Sequence, residues 1–182
     1  LMGIRMGLNE MISFGFKGFL IVTPTIILTL LVVHKSRSYF KLSSNLATLI
    51  AVGTSICGAT AIVATAPAIN AKKEEISYAV ANITLFGLIA MFLYPLISYK
   101  VFDNNSLSVG LFLGTSIHET AQVAGSGMIY SEQYSNPSVL NIATVIKLVR
   151  NTLMVLVIPS LAFYSNKKSK NNSEIKIAKI FP

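Results

Sequence analysis

The sequence is short of charge. Only 12% of its 182 residues are Asp, Glu, Lys or Arg, against 53% hydrophobic, and the mean hydropathy is +0.64. A soluble domain of this length needs about a quarter charged residues to keep its surface in water. Asp103 is the only aspartate, which excludes the buried aspartate pair of an intramembrane aspartyl protease. Cys57 is the only cysteine; it allows no internal disulfide and, inside an apolar run, reads as a small packing residue. Histidine is scarce too. His118-Glu-Thr-Ala-Gln122 has Gln where the zinc motif His-Glu-x-x-His needs its second ligand, and His34 lies at the edge of an apolar run. No Gly-rich loop ending in Lys-Ser/Thr is present to cradle a nucleotide phosphate. An enzyme, a bound metal and a resident cofactor are therefore not expected.

What the chain does contain is long apolar runs. They cover about 14–33, 46–69, 76–99, 107–129 and 139–164. Each is long enough to cross about 30 Å of hydrocarbon at about 1.5 Å per residue. The expected fold is all-α: a polytopic transmembrane bundle of about five helices. Residues 1–164 form the membrane domain, and the Lys-, Asn- and Ser-rich residues 165–182 form a solvated basic tail. The chain starts at Leu1 without the layout of a signal peptide, and it is expected to be the C-terminal part of a longer transporter.

The net charge of +8 sits at the ends of the apolar runs. That is the orienting signal of a membrane protein rather than a nucleic-acid surface. If all five runs cross, Lys35, Arg37, Lys41, Lys100 and the tail lysines 167, 168, 170, 176 and 179 share one side. Arg5, Lys17, Lys72 and Lys73 share the other. The more basic side, with the C-terminus, is then cytoplasmic.

Polar residues deep inside apolar runs point to function. The second run carries Gly53-Thr-Ser-Ile-Cys-Gly-Ala-Thr-Ala61, and the fourth repeats Gly-Thr-Ser-Ile at 114–117, followed at once by His118, Glu119 and Gln122. The two copies are expected to run in the same direction. Small residues allow close helix packing; equally, Gly53, Gly58 and Gly114 are candidate breaks where unwound backbone lines a cavity. The fifth run carries Lys147 and Arg150 on one helical face, about 12 and 16 Å from its start at about 1.5 Å per residue. A charge at the bilayer centre costs at least about 2.5–3.5 kcal/mol. Glu119 paired with Lys147 or Arg150 could simply join two helices. One carboxylate cannot neutralise two cations, however, and Arg offers a fork that suits an oxyanion.

These residues resemble the YeiH-type family of bacterial inner-membrane proteins named for sulfate export. The resemblance rests on Gly53-Thr-Ser-Ile-Cys-Gly-Ala-Thr-Ala-Ile62, Lys73-Glu-Glu75, Ile83-Thr-Leu-Phe-Gly87 and Ala90-Met-Phe-Leu-Tyr-Pro95. It continues through Gly114-Thr-Ser-Ile-His-Glu-Thr-Ala-Gln-Val123 and Lys147-Leu-Val-Arg150. The family is similar to cation:proton antiporters and bile-acid-type symporters, which implies inverted repeats and interrupted helices. The resulting expectation is a secondary transporter exporting a small inorganic anion, sulfate foremost, by alternating access. Lys147, Arg150, Thr54, Ser55, Thr115, Ser116 and Gln122 would bind the anion, and Glu119 or His118 would carry a coupling proton. The alternatives are a cation:proton exchanger with Glu119 as ion ligand, and a non-transporting membrane subunit. Membrane lipid is an expected partner, nucleic acid is not, and a homo-oligomer is compatible with the sequence.

Overall fold

The computed structural model describes the backbone of residues 8–155 and 157–160, and side chains from residue 18 onward within that range. The expected tail, 165–182, lies outside the described residues, as do the side chains of Arg5 and Lys17. Among the described residues there are seven α-helices, one short 3-10 turn and no strand. They are α1 (Leu8–Tyr39), α2 (Ser44–Ser55), α3 (Ala59–Thr65), α4 (Lys73–Phe102), α5 (Ser106–Ser116), α6 (Thr120–Gln133) and α7 (Ser138–Thr152), with Pro67–Ile69 forming the 3-10 turn after α3.

Among the described residues three stretches are long and apolar enough to cross a membrane: Gly18–Tyr39, Lys73–Phe102 and Ser138–Ser160. The second and fourth apolar runs instead fold back on themselves. A crossing from Ser44 to Ile69 would leave Ser43 and Glu75 roughly 30 Å apart. Yet Ser43 Oγ donates to Glu75 Oε1, and Glu75 Oε2 accepts from Lys72 N at 2.9 Å. Both ends of α2–α3 therefore lie at one end of the bundle. At the opposite end, Ser106 Oγ donates to Asn136 Oδ1 at 3.0 Å, and Asn136 Nδ2 donates to the Asn104 carbonyl at 3.1 Å. Both ends of α5–α6 meet there. The five expected crossings are corrected to three spans and two re-entrant hairpins entering from opposite ends.

Local chemistry shapes each hairpin. Ser43 caps α2 by accepting from Leu46 N, and Asn105 caps α5 by accepting from Ser108 N. The first hairpin turns at Gly58, whose φ of 69° suits a residue without Cβ. The second turns through extended backbone at Ile117 and Glu119. Leu49 of α2 packs with Ile62 of α3, with Ala66 just after it, and with Ala79 and Ile83 of α4. Val109 and Leu113 of α5 pack with Val123 and Tyr130 of α6 and with Val139 and Ala143 of α7. α1 closes on α7 through Val22, Ile26, Ile142 and Ile146. Outward faces of α1 and α4 stay apolar and exposed, with Leu28, Leu31, Leu85, Phe86, Ile89 and Phe92 among them. Such faces are stable only in an apolar solvent, since burying them in lipid removes the cost of wetting them.

Two further expectations change. The Gly-Thr-Ser-Ile copies end α2 and α5, which enter from opposite ends, so they run head to head rather than in the same direction. Gly53 and Gly114 do not break helices. A Cβ on Gly53 would come within 2.8 Å of Ile62 Cδ1, and one on Gly114 within 2.7 Å of the Ala143 carbonyl, so both serve close packing. Of the expected break glycines only Gly58 lies in a break.

Candidate functional site

The two hairpin tips, residues 56–58 and 117–119, meet beside Lys147 and Arg150, about halfway along the span Ser138–Ser160. Lys147 is wholly buried, and Arg150 is 3% exposed. Lys147 Nζ donates to the carbonyls of Ile56 (3.0 Å), Ile117 (3.2 Å) and His118. Arg150 Nε donates to the Ser55 carbonyl at 2.7 Å and Nη2 to that of Thr54. Its Nη1 donates to the Thr115 carbonyl at 2.7 Å and the Ile117 carbonyl at 3.2 Å.

The physical reason lies in the broken helices. The last carbonyls of α2 and α5 have no intrahelical donor, and each helix C-terminus carries a partial negative charge. Two such ends facing each other inside an apolar bundle would repel and go unsatisfied. The two basic side chains of α7 supply the missing donors and the opposite charge. The geometry thus makes Lys147 and Arg150 caps shared by both tips. All three Lys147 protons point at backbone oxygen, so direct coordination of an anion by Lys147 would require this arrangement to open.

Glu119 answers the other pole. It precedes α6 and lies against the start of α3, where helix N-termini carry partial positive charge. A Cβ built on Gly58 would sit 2.6 Å from Glu119 Cγ, so the tips touch through the space that glycine leaves. Glu119 pairs with neither cation; its Oε1 accepts from Thr84 Oγ1 of α4 at 3.2 Å. The alternative of an ion pair joining two helices gives way to this hydroxyl contact.

The remaining candidates contribute differently from their expected roles. Thr54, Ser55 and Thr115 act through backbone carbonyls, while the Ser55 and Thr115 hydroxyls turn back on Val52 and Leu111 of their own helices. Ser116 ends α5 and is half-buried. His118 is half-buried, its Nδ1 has no partner, and its carbonyl serves Lys147. Gln122 is buried; its Nε2 donates to the Thr84 carbonyl at 3.2 Å and its Oε1 has no partner. The helix begins only at Thr120, so His118 lies before it and Gln122 lies in its first turn. Thr84 and Gly87 are the site residues that spacing alone missed. A Cβ on Gly87 would lie 2.0 Å from Gln122 Oε1, so that glycine makes room for the amide. Among the described residues no group of three or more His, Cys, Asp or Glu could hold a metal ion.

Opposed hairpins with a charged junction inside an apolar helical bundle define a polytopic membrane protein with interrupted helices. The chain belongs to the family described as conserved hypothetical protein 698, whose model matches residues 1–182, and this family includes the YeiH-like proteins. It is 31% identical over 182 residues to the UPF0324 membrane protein SAG1125 of Streptococcus agalactiae, covering 100% of this chain and 54% of that relative. It is 32% identical over 183 residues to FN0533 of Fusobacterium nucleatum, another UPF0324 membrane protein, covering 100% of this chain and 53% of that one. The chain thus spans about half the length of the curated relatives it matches. No solved structure matches.

Proposed function

We propose that the protein is a secondary transporter for a small inorganic anion, sulfate foremost, moving it by alternating access around the two hairpin tips. One observation carries this reading: four helix ends meet halfway through the bundle, with two cations and one carboxylate among them. Non-helical backbone at that depth is tolerated only where protein or a wet cavity covers it. Half-helix termini at mid-depth are how secondary transporters bind ions and polar solutes. Lys147 and Arg150 against Glu119 leave one surplus positive charge, which suits an anion better than a metal cation.

Because both basic side chains are engaged with carbonyls, the anion's ligands would be the free amides that open α6, with the Arg150 N–H that makes no bond here. Glu119 occupies the same positive pole. Anion and carboxylate would compete there, so a protonated Glu119 would favour the anion and couple its movement to a proton. Alternating access would then exchange cation bonds between tips, since three of the seven reach the first hairpin and four the second.

Charge placement supports an orientation in a bacterial inner membrane. Lys35, Arg37, Lys41, Lys72 and Lys73 lie at the end where α1 finishes and α4 begins, and Lys100 lies at the other. The re-entrant hairpins move Lys72, Lys73 and Lys100 to the opposite sides from those expected. The positive-inside rule still makes the end reached by α7 cytoplasmic.

The test is sulfate flux by the intact protein in proteoliposomes under an imposed pH gradient. Gradient-driven flux that loses its pH dependence in Glu119→Gln is the expected result. Absence of flux with sulfate and other small oxyanions would overturn the reading. A second reading, cation:proton exchange at Glu119, is favoured by the engagement of both cations with backbone. Proton flux driven by sodium and indifferent to sulfate would select it.

A further inference from the structure

We infer that Thr84, on the uninterrupted span α4, is the positioning residue for Glu119, and that Gln122 and Gly87 hold Thr84 in register with it. The inference rests on the reading of Glu119 as the coupling group and adds the device that aims it.

Glu119 lies in the extended link between α5 and α6, with no helical backbone of its own to fix its side chain. Its position is set from outside the hairpin. On one side is Gly58, the tip of the other hairpin, where any Cβ would overlap Glu119 Cγ. On the other is the Thr84 hydroxyl, which donates to Glu119 Oε1 at 3.2 Å. A threonine within a helix commonly returns its proton to its own helix, as Thr115, Thr144 and Thr152 do here. Thr84 gives its proton to the carboxylate instead.

The next turn of α6 ties down the same residue from its backbone side. Gln122 Nε2 donates to the Thr84 carbonyl at 3.2 Å, and Gly87 leaves the gap that admits this amide. Two hydrogen bonds at one threonine, one donated to Glu119 and one accepted from Gln122, thus join α4 to the tip of the second hairpin. A buried Gln serving packing alone would leave both polar ends costly; here one end is satisfied only by Thr84.

This arrangement gives Thr84 a function distinct from helix packing. Valine has nearly the same shape but no proton to donate, while serine keeps the proton and loses a methyl group. A hydrogen bond to a carboxylate is worth about tenfold in a rate or a binding constant.

The experiment compares Thr84→Val, Thr84→Ser and Glu119→Gln in the intact protein by two measurements. The first is the infrared carboxylate band that disappears in Glu119→Gln, which reports the contact whether or not sulfate is moved. The second is sulfate flux in proteoliposomes. Thr84→Val should shift the band and lower flux about tenfold, Thr84→Ser should restore both, and Thr84→Val should add nothing to Glu119→Gln. An unshifted band in Thr84→Val overturns the inference, and so does a shifted band with undiminished flux. If the unsubstituted protein moves no sulfate, the transport reading fails and the band alone decides the role of Thr84.

Discussion

Replacing Lys147 by methionine keeps a long unbranched side chain and removes the charge and three donors. The carbonyls of Ile56 and His118 then lose the donor they have here, whereas Ile117 keeps its bond to Arg150. An orphaned buried carbonyl costs about 1–3 kcal/mol, giving about 2–6 kcal/mol for the two. Loss of the cation that faces two helix C-termini adds to this, and relief of its own desolvation subtracts. A net loss of about 2–4 kcal/mol follows. The assay is reversible unfolding of the intact protein in bicelles by titration with a denaturing detergent. Lys35→Met serves as the control; Lys35 is exposed, and surface changes away from special features stay within about 0.5 kcal/mol. If Lys147→Met unfolds with its control, the carbonyls do not depend on the lysine and the capping argument is wrong.

Gly58→Ala places a methyl group 2.6 Å from Glu119 Cγ and strains a φ of 69°. Flux should fall more than tenfold, with a stability loss of about 1–3 kcal/mol from the backbone alone; unchanged flux would show that the tips need not touch. Asn136→Ala removes the bonds that close the base of the second hairpin on Asn104 and Ser106. Amide exchange in α5 and α6 should then speed up while that in α2 and α3 does not, and equal acceleration in both hairpins would contradict the separate closure of each.

Composition made the helical membrane fold legible, because apolar runs with charges only at their ends have few other uses. Re-entrance was hidden. Residues 46–69 are as long as one crossing, and two half-passes joined at Gly58 have the same length and hydropathy. The signal was polar rather than apolar: Ser43 and Asn105 are caps, and a cap with an answering Glu75 or Asn136 marks a return to the same end. The depth of Lys147 and Arg150 could be counted along the sequence, whereas their partners could not, since backbone carbonyls exist at every residue. Nothing in the sequence singles out Thr84 among the polar residues of a span, because only three-dimensional packing brings it to Glu119.

The account depends on two hairpins entering from opposite ends, and single-cysteine labelling from each side of the membrane tests this directly. In a Cys57→Ala background, Lys41→Cys and Asn70→Cys should react with an impermeant thiol reagent from one side, and Asp103→Cys and Ser135→Cys from the other. Labelling of positions 41 and 70 from opposite sides would mean that 44–69 crosses the membrane, and the junction of tips described here would not exist.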